Sequence, residues 1–142
     1  MTICVDSSFL VSSYITDLNS SESDLRRASN PVIWITPLNR SEFAHSIYQH
    51  VFRGKINLAE ANQLWSLFEE DCAKGLWLHT SLPDSVWRIS TELARRHGPK
   101  LRTRTLDSLH VACALELRAD RFWTFDERQL RLAEAAGLET KA

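Results

Sequence analysis

The chain has 142 residues, 44 % of them apolar and 25 % charged, with a formal net charge of −1. A single domain spanning 1–142 is expected, large enough to hold a core without metal or disulfide staples. Disorder, collagen-like repeats and a membrane span are excluded, since no apolar run approaches the ~18 residues a span needs, and a pI of about 6.5 argues against indiscriminate nucleic-acid binding.

Thr2–Val5 is a short β-branched run closed by Asp6, and Ser7 or Ser8 can cap a helix running to about Leu18. A polar stretch, Ser21–Ser29, is expected to be helical in part. Val32–Thr36 reads as a second strand, rich in β-branched and aromatic residues. Pro37 stops it, and the next helix carries Phe43, Ile47 and Val51 at four-residue spacing. Leu58, Ala61, Trp65, Phe68 and Cys72 then recur at helical spacing on one apolar face, with Gly75 as the stop. Leu76–Leu78 reads as a third strand. Pro83 opens a helix with Val86, Ile89 and Leu93 on its buried face, ending before Gly98-Pro99. Leu106–Leu117 is apolar almost all round, as in a helix buried on most sides. Arg121–Thr124 is a fourth strand, Glu127–Ala136 a last helix closed by Gly137, and residues 138–140 can add an edge strand.

Strands alternating with helices predict an α/β fold with a mainly parallel sheet of four to five strands. Right-handed crossovers place every strand's C-terminal end on one edge, where ligands of such sheets bind. Cys4, Cys72 and Cys113 are widely separated and form no C-x-x-C pair, so they read as small core residues. No charged segment followed by an apolar run opens the chain, and a reducing, cytoplasmic setting is expected.

Four acids fall where this edge is predicted. Asp6 and Asp126 follow strands, Glu42 lies one turn into a helix, and Asp107 lies in the first turn of the apolar helix. Acids at helix starts are also ordinary dipole partners. Asp107 is the exception, because a carboxylate on a helix without a polar face needs a cation. Arg102 or Arg104 can supply one, and so can a divalent metal. Converging carboxylates suit hard Mg²⁺ or Mn²⁺. Such a site leaves positions open for the phosphate oxygen and water of phosphodiester hydrolysis. Ser7 and Thr124 can bond a carboxylate, a water or a phosphate, or serve only as a helix cap and a strand-end hydroxyl.

These residues resemble a known family. Asp6-Ser7-Ser8-Phe9-Leu10 after a first strand is similar to the opening motif of PIN-domain ribonucleases. Glu42 corresponds to that family's second acid, Thr105–Ala112 with Asp107 to its third, and Trp123-Thr124-Phe125-Asp126 to its fourth. Within the family, the length and Thr124–Leu138 are most similar to VapC-type toxins. The resemblance implies a three-layer α/β/α fold and Mg²⁺-dependent endoribonuclease activity. It makes Asp6, Glu42, Asp107 and Asp126 the catalytic metal ligands. It also implies a homodimer and a cognate antitoxin that blocks the site.

Other patterns compete less well. His45 and His110 each follow an acid by three residues, as in di-iron bundles, but two of the acids follow strands. Both histidines therefore read as packing residues that can bond a nearby acid. A phosphoacceptor receiver needs paired acids after its first strand, and a haloacid-dehalogenase-type phosphatase needs Asp-x-Asp; Asp6 stands alone. The alternative function is a catalytically silent PIN-like or receiver-like module that acts by binding a protein. The charge is also uneven. Residues 1–71 carry five Lys/Arg against nine Asp/Glu, and residues 72–142 carry twelve against nine. The densest basic run, Arg95, Arg96, His97, Lys100, Arg102 and Arg104, leads directly to Asp107 and is expected to bind RNA phosphates. Arg53 and Lys55 are a weaker second candidate. The tryptophans read as core residues, and Tyr48–Leu67 as a surface for a dimer or an antitoxin.

Overall fold

A computed structural model describes residues 1–142. In chain order the elements are β1 (Ile3–Val5), α1 (Ser7–Ser12), α2 (Ser20–Arg27), β2 (Ile33–Ile35), α3 (Pro37–Phe52) and α4 (Leu58–Ala73). They continue with β3 (Leu78–His79), α5 (Val86–His97), α6 (Thr105–Glu116), β4 (Arg121–Trp123) and α7 (Glu127–Ala135). The sheet has four strands, all parallel, in the order β3-β2-β1-β4. This is the three-layer α/β/α arrangement expected from the sequence.

Alternate strand residues point to opposite faces. Ile3, Val5, Ile33 and Ile35 enter one core with Phe9 and Leu10 of α1, Phe43 and Ile47 of α3 and Phe68 of α4. Cys4 and Phe122 enter the other, against Val86 and Leu93 of α5, Leu109 and Val111 to Ala114 of α6, and Leu132 of α7. With both faces covered, the strands need no polar side, which is why they read as unbroken apolar runs. α6 has eight consecutive buried residues, Asp107 among them.

The first core contains a polar relay. Trp77 donates from Nε1 to the Tyr14 hydroxyl at 2.6 Å, and Tyr14 donates to Asp71 Oδ2 at 2.5 Å. Trp77 and Asp71 are both buried, and the Tyr14 hydroxyl partners both.

Three boundaries and the burial of one residue differ from expectation. The helix after β1 stops at Ser12 rather than near Leu18, because local hydroxyl and carboxylate groups compete with the helical ladder. Ser13 donates back to the Phe9 carbonyl, and Asp17 accepts from Ser12 Oγ and from the Asn19 N–H. The third strand starts at Leu78, and Trp77 is buried beside it. Residues 138–140 form no strand: the Glu139 carbonyl accepts one bond from Phe122 N on the outer edge of β4. Leu58, the first residue of the apolar face on α4, stays exposed. Gly75 closes α4 at φ +80, a backbone conformation costly for residues with a Cβ.

Candidate active site

The pairing of Val5 with Trp123 sets the next residues, Asp6 and Thr124, side by side at the C-terminal edge. Thr124 Oγ1 donates to Asp6 Oδ2 at 2.6 Å, across 118 residues of sequence. Ser8 Oγ donates to Asp6 Oδ1 at 2.6 Å, and the Phe9 N–H donates to the same oxygen at 3.2 Å. Asp6 is thus both the N-cap of α1 and a carboxylate with only 4 % exposure. Asp126 caps α7 by accepting from Gln129 N, and its own N–H donates to Thr124 Oγ1.

Glu42 arrives on α3, whose start is fixed by a capping box between Thr36 and Asn39. Asn39 Nδ2 also donates to the Val5 carbonyl at 3.0 Å, tying this helix to the end of β1. Glu42 Oε1 then accepts from Ser7 Oγ at 2.8 Å and from Nε2 of buried His110. Asp107, in the first turn of α6, accepts from Arg104 Nε at 3.1 Å. Arg104 Nη2 lies 3.7 Å from Asp126 Oδ2. Buried Gln129 locks α7 to the start of α6 by donating to the Asp107 carbonyl at 2.8 Å.

The four acids therefore form a ring. Thr124 joins Asp6 to Asp126 and Arg104 joins Asp126 to Asp107. His110, one turn after Asp107, reaches Glu42, and Glu42 meets Ser7, the chain neighbour of Asp6. Ser7 and Thr124 both bond carboxylates, one of the alternatives open at the sequence level. Burial pushes the Asp6 carboxyl above its usual range, with the bonds from Ser8 and Thr124, the His110 charge and the Phe9 N–H only partly offsetting it. Burial also pushes Glu42 up, but bonds and charge from His110, the Ser7 bond and the Arg104 charge outweigh it and hold Glu42 below its usual value. The bond and charge of Asp107 raise the Arg104 guanidinium further.

The donor chemistry fits a hard divalent cation: an all-oxygen set with a buried carboxyl, Asp6, that ionises with difficulty unless positive charge is near. The side-chain arrangement is not itself a ligand set, for no three His, Cys, Asp or Glu groups are gathered for a metal ion. The acids are instead turned onto hydroxyl, imidazole and guanidinium partners. An open cleft of about 410 Å³ runs over Ser7, Ser8, Asn19, Glu42, Ser46 and Asp126.

Other candidate residues separate. Arg104, not Arg102, supplies the countercharge of Asp107. Arg95 pairs with Glu92 on the exposed end of α5, and Arg96 is also exposed there. Lys100 and Arg102 line a different cleft, with Arg128 and Arg131. His110 bonds an acid as expected, but His45 is exposed rather than packed and donates to the Ser41 carbonyl. Sequence reasoning assigned no site role to Ser8, Asn39 or Gln129. Ser8 carried one faint signal, a hydroxyl two residues after a strand-end Asp.

The PIN domain family model matches residues 3–135. No curated protein sequence matches the chain. Among solved structures the fold is similar to VapC20 of Mycobacterium tuberculosis, a sarcin-ricin-loop-cleaving toxin. The TM-score is 0.69 at 17 % identity, over 96 % of this chain and 95 % of that one. It is similar to VapBC2 from Rickettsia felis, bound to a DNA fragment from their promoter, with TM-score 0.72 and 15 % identity over 99 % and 98 % of the chains. It is also similar to FitAcB from Neisseria gonorrhoeae, with TM-score 0.69 and 13 % identity over 99 % and 96 %.

Proposed function

The chain belongs to the PIN-domain family, and from that premise we propose that it is a metal-dependent endoribonuclease of the VapC type. In this reading Asp6, Glu42, Asp107 and Asp126 hold Mg²⁺ or Mn²⁺ and are the catalytic acids. The observation that carries it is the ring: four acids from four separate segments lie along the strand-end edge, linked through Thr124, Arg104, His110 and Ser7, with Arg104 shared by the carboxylates of Asp107 and Asp126. A divalent ion bound there supplies Lewis-acid charge at the phosphodiester and eases deprotonation of a water.

The chain's own residues prepare that site. Thr124 and Ser8 fix both oxygens of Asp6, and Ser7 and His110 fix Glu42. Arg104, with its side chain 59 % exposed, supplies interim positive charge and has room to swing into solvent. The cleft over Ser7, Glu42 and Asp126 leaves Glu42 and Asp126 open to a polymer, with Asp6 and Asp107 buried behind them. As a VapC-type protein the chain is a toxin of a toxin–antitoxin pair, working as a cytoplasmic homodimer that a cognate antitoxin inhibits. The similarity to VapBC2 and FitAcB supports the antitoxin partner in this reading.

The test is RNA cleavage with Mg²⁺ or Mn²⁺, repeated in EDTA and with Asp6→Asn or Asp107→Asn. Activity is expected to vanish in each of those arms, and cleavage that survives chelation and both substitutions would sink the site. One observation favours a second reading, a catalytically silent module that binds a protein: the acids are not gathered as a ligand set. Absence of cleavage with either metal, together with intact binding of a partner protein, would select it.

A further inference from the structure

The acid ring poses an electrostatic difficulty for the proposed substrate. A chain of net charge −1 that gathers four carboxylates at one edge repels a polyanion there. Phosphates must be held by cations nearby, and the fold assembles such a group outside the ring.

Lys100 and Arg102, from the loop before α6, and Arg128 and Arg131, on α7, line one cleft of about 320 Å³ with Leu101. The two segments lie far apart in sequence. Arg128 and Arg131 are three residues apart on a helix and share a face. No acid lines the cleft. Arg131 pairs with Glu127 at 3.3 Å, whereas Lys100, Arg102 and Arg128 make no salt bridge within the chain. All four cations are exposed. Like charges crowded around one cleft oppose one another, and an anion that enters relieves this.

The cleft is also coupled to the ring. Arg128 follows Asp126 by two residues, and Arg102 precedes Arg104 by two. The buried bond from Gln129 to the Asp107 carbonyl clamps α7 to the start of α6. Phosphate held at the cleft is therefore held in fixed relation to Asp107 and Asp126. No aromatic side chain lines the cleft, so it offers no stacking platform of the kind that holds bases. Its chemistry reads charge on the backbone and no sequence.

We propose that Lys100, Arg102, Arg128 and Arg131 form a subsite for the sugar–phosphate backbone of single-stranded RNA, flanking the acid ring. The inference rests on the endoribonuclease reading for the identity of its ligand. It splits the basic run of the sequence: Lys100 and Arg102 act with α7, and Arg95 and Arg96 do not take part.

The test is binding of fluorescein-labelled 20-nucleotide RNAs of two unrelated sequences to the full chain in EDTA, followed by anisotropy across a salt series. Each phosphate contact on a single strand contributes about 0.7 to the slope of log affinity against log salt. Arg102→Ala with Arg128→Ala is expected to weaken both RNAs equally and to lower the slope by about 1.4. The ratio of affinities at 50 and 200 mM salt then shrinks about sevenfold. Arg102→Lys with Arg128→Lys keeps most of the slope, since charge rather than fork geometry is used. Arg95→Ala with Arg96→Ala leaves the slope unchanged. A double alanine variant that binds with the parent affinity and slope would overturn the subsite, as would loss confined to one sequence. So would absence of RNA binding by the unaltered chain. Parent protein that binds RNA with this slope but never cleaves it would instead refute the activity and leave the subsite standing.

Discussion

Replacing Arg104 with Gln tests whether the acid ring is built for a cation. Arg104 Nε lies 3.1 Å from Asp107 and Nη2 lies 3.7 Å from Asp126. At about 3 Å and an effective dielectric of about 20, one such pair attracts by about 5 kcal/mol gross. The guanidinium is 59 % exposed, and pairs exposed at both ends retain only about 0.2–1 kcal/mol. The Asp107 side chain is 13 % exposed, and a buried carboxylate stripped of its partner costs more than that. The two contacts together are worth about 1–2 kcal/mol on this scale. In EDTA, Arg104→Gln should lower stability by that amount, read as a shift of the urea midpoint. A divalent ion meets no competing guanidinium in the variant. Its affinity should therefore rise by the same free energy, about 5- to 30-fold, in a calorimetric titration with Mn²⁺. Mn²⁺ bound no tighter than by the parent chain would refute the reasoning.

Three further outcomes follow from the site and core. Asp6→Asn removes a carboxyl whose folded pKa lies above its unfolded value. Ionisation of that group costs stability as pH rises from the unfolded toward the folded pKa, so the variant should be more stable than the parent near pH 7 in EDTA. The gain should fade below the ordinary Asp range, where both states are protonated. Equal melting temperatures from pH 4 to 8 would contradict this. Glu42 has the opposite sign: its folded pKa is depressed, so its stabilising contribution is present above the ordinary Glu value and lost as pH falls through the folded one. His110→Phe should move the acid limb of the kcat/KM profile to higher pH, with partial recovery in His110→Gln. An unmoved limb would remove His110 as a positioning residue. Tyr14→Phe leaves both Trp77 Nε1 and Asp71 short of a partner, and it should cost about 1–3 kcal/mol in urea unfolding.

What the sequence made legible was set by local chemistry. The β-branched runs, the spacing of Ala61, Trp65 and Phe68, and the breaks at Gly75 and Pro37 act within a few residues of themselves, and the elements they predict are present. The positions of the four acids were legible because strand ends and first helical turns are local features. What was not legible lies in pairs distant along the chain. Thr124 meets Asp6 across 118 residues and His110 meets Glu42 across 68. No periodicity encodes these, so the sequence left Ser7 and Thr124 with several possible partners. It gave Asp107 two possible arginines, and only the path of the loop before α6 decides for Arg104. The helix expected to reach about Leu18 stops at Ser12 for a different reason: hydroxyl and carboxylate side chains there bond locally, and several short-range options of similar energy compete with the helix.

The ring also divides its cost unevenly between two strand-end acids. Asp126 caps α7, and with its side chain 34 % exposed it keeps its charge in reach of water. Its position serves helix and ring together, and N-terminal placement of an acid is favourable by about 0.3–1 kcal/mol. Asp6 caps α1 in the same way but lies at 4 % exposure, where burial opposes its charge. A neutral Asn caps a helix as well as Asp does, so capping alone gives no reason for a carboxylate at position 6. Three donors from Ser8, Thr124 and the Phe9 N–H reduce the penalty without removing it. A buried acid that the fold only partly compensates is a local inconsistency of the kind that concentrates at functional sites. The missing compensation is positive charge, which the proposed divalent ion would supply.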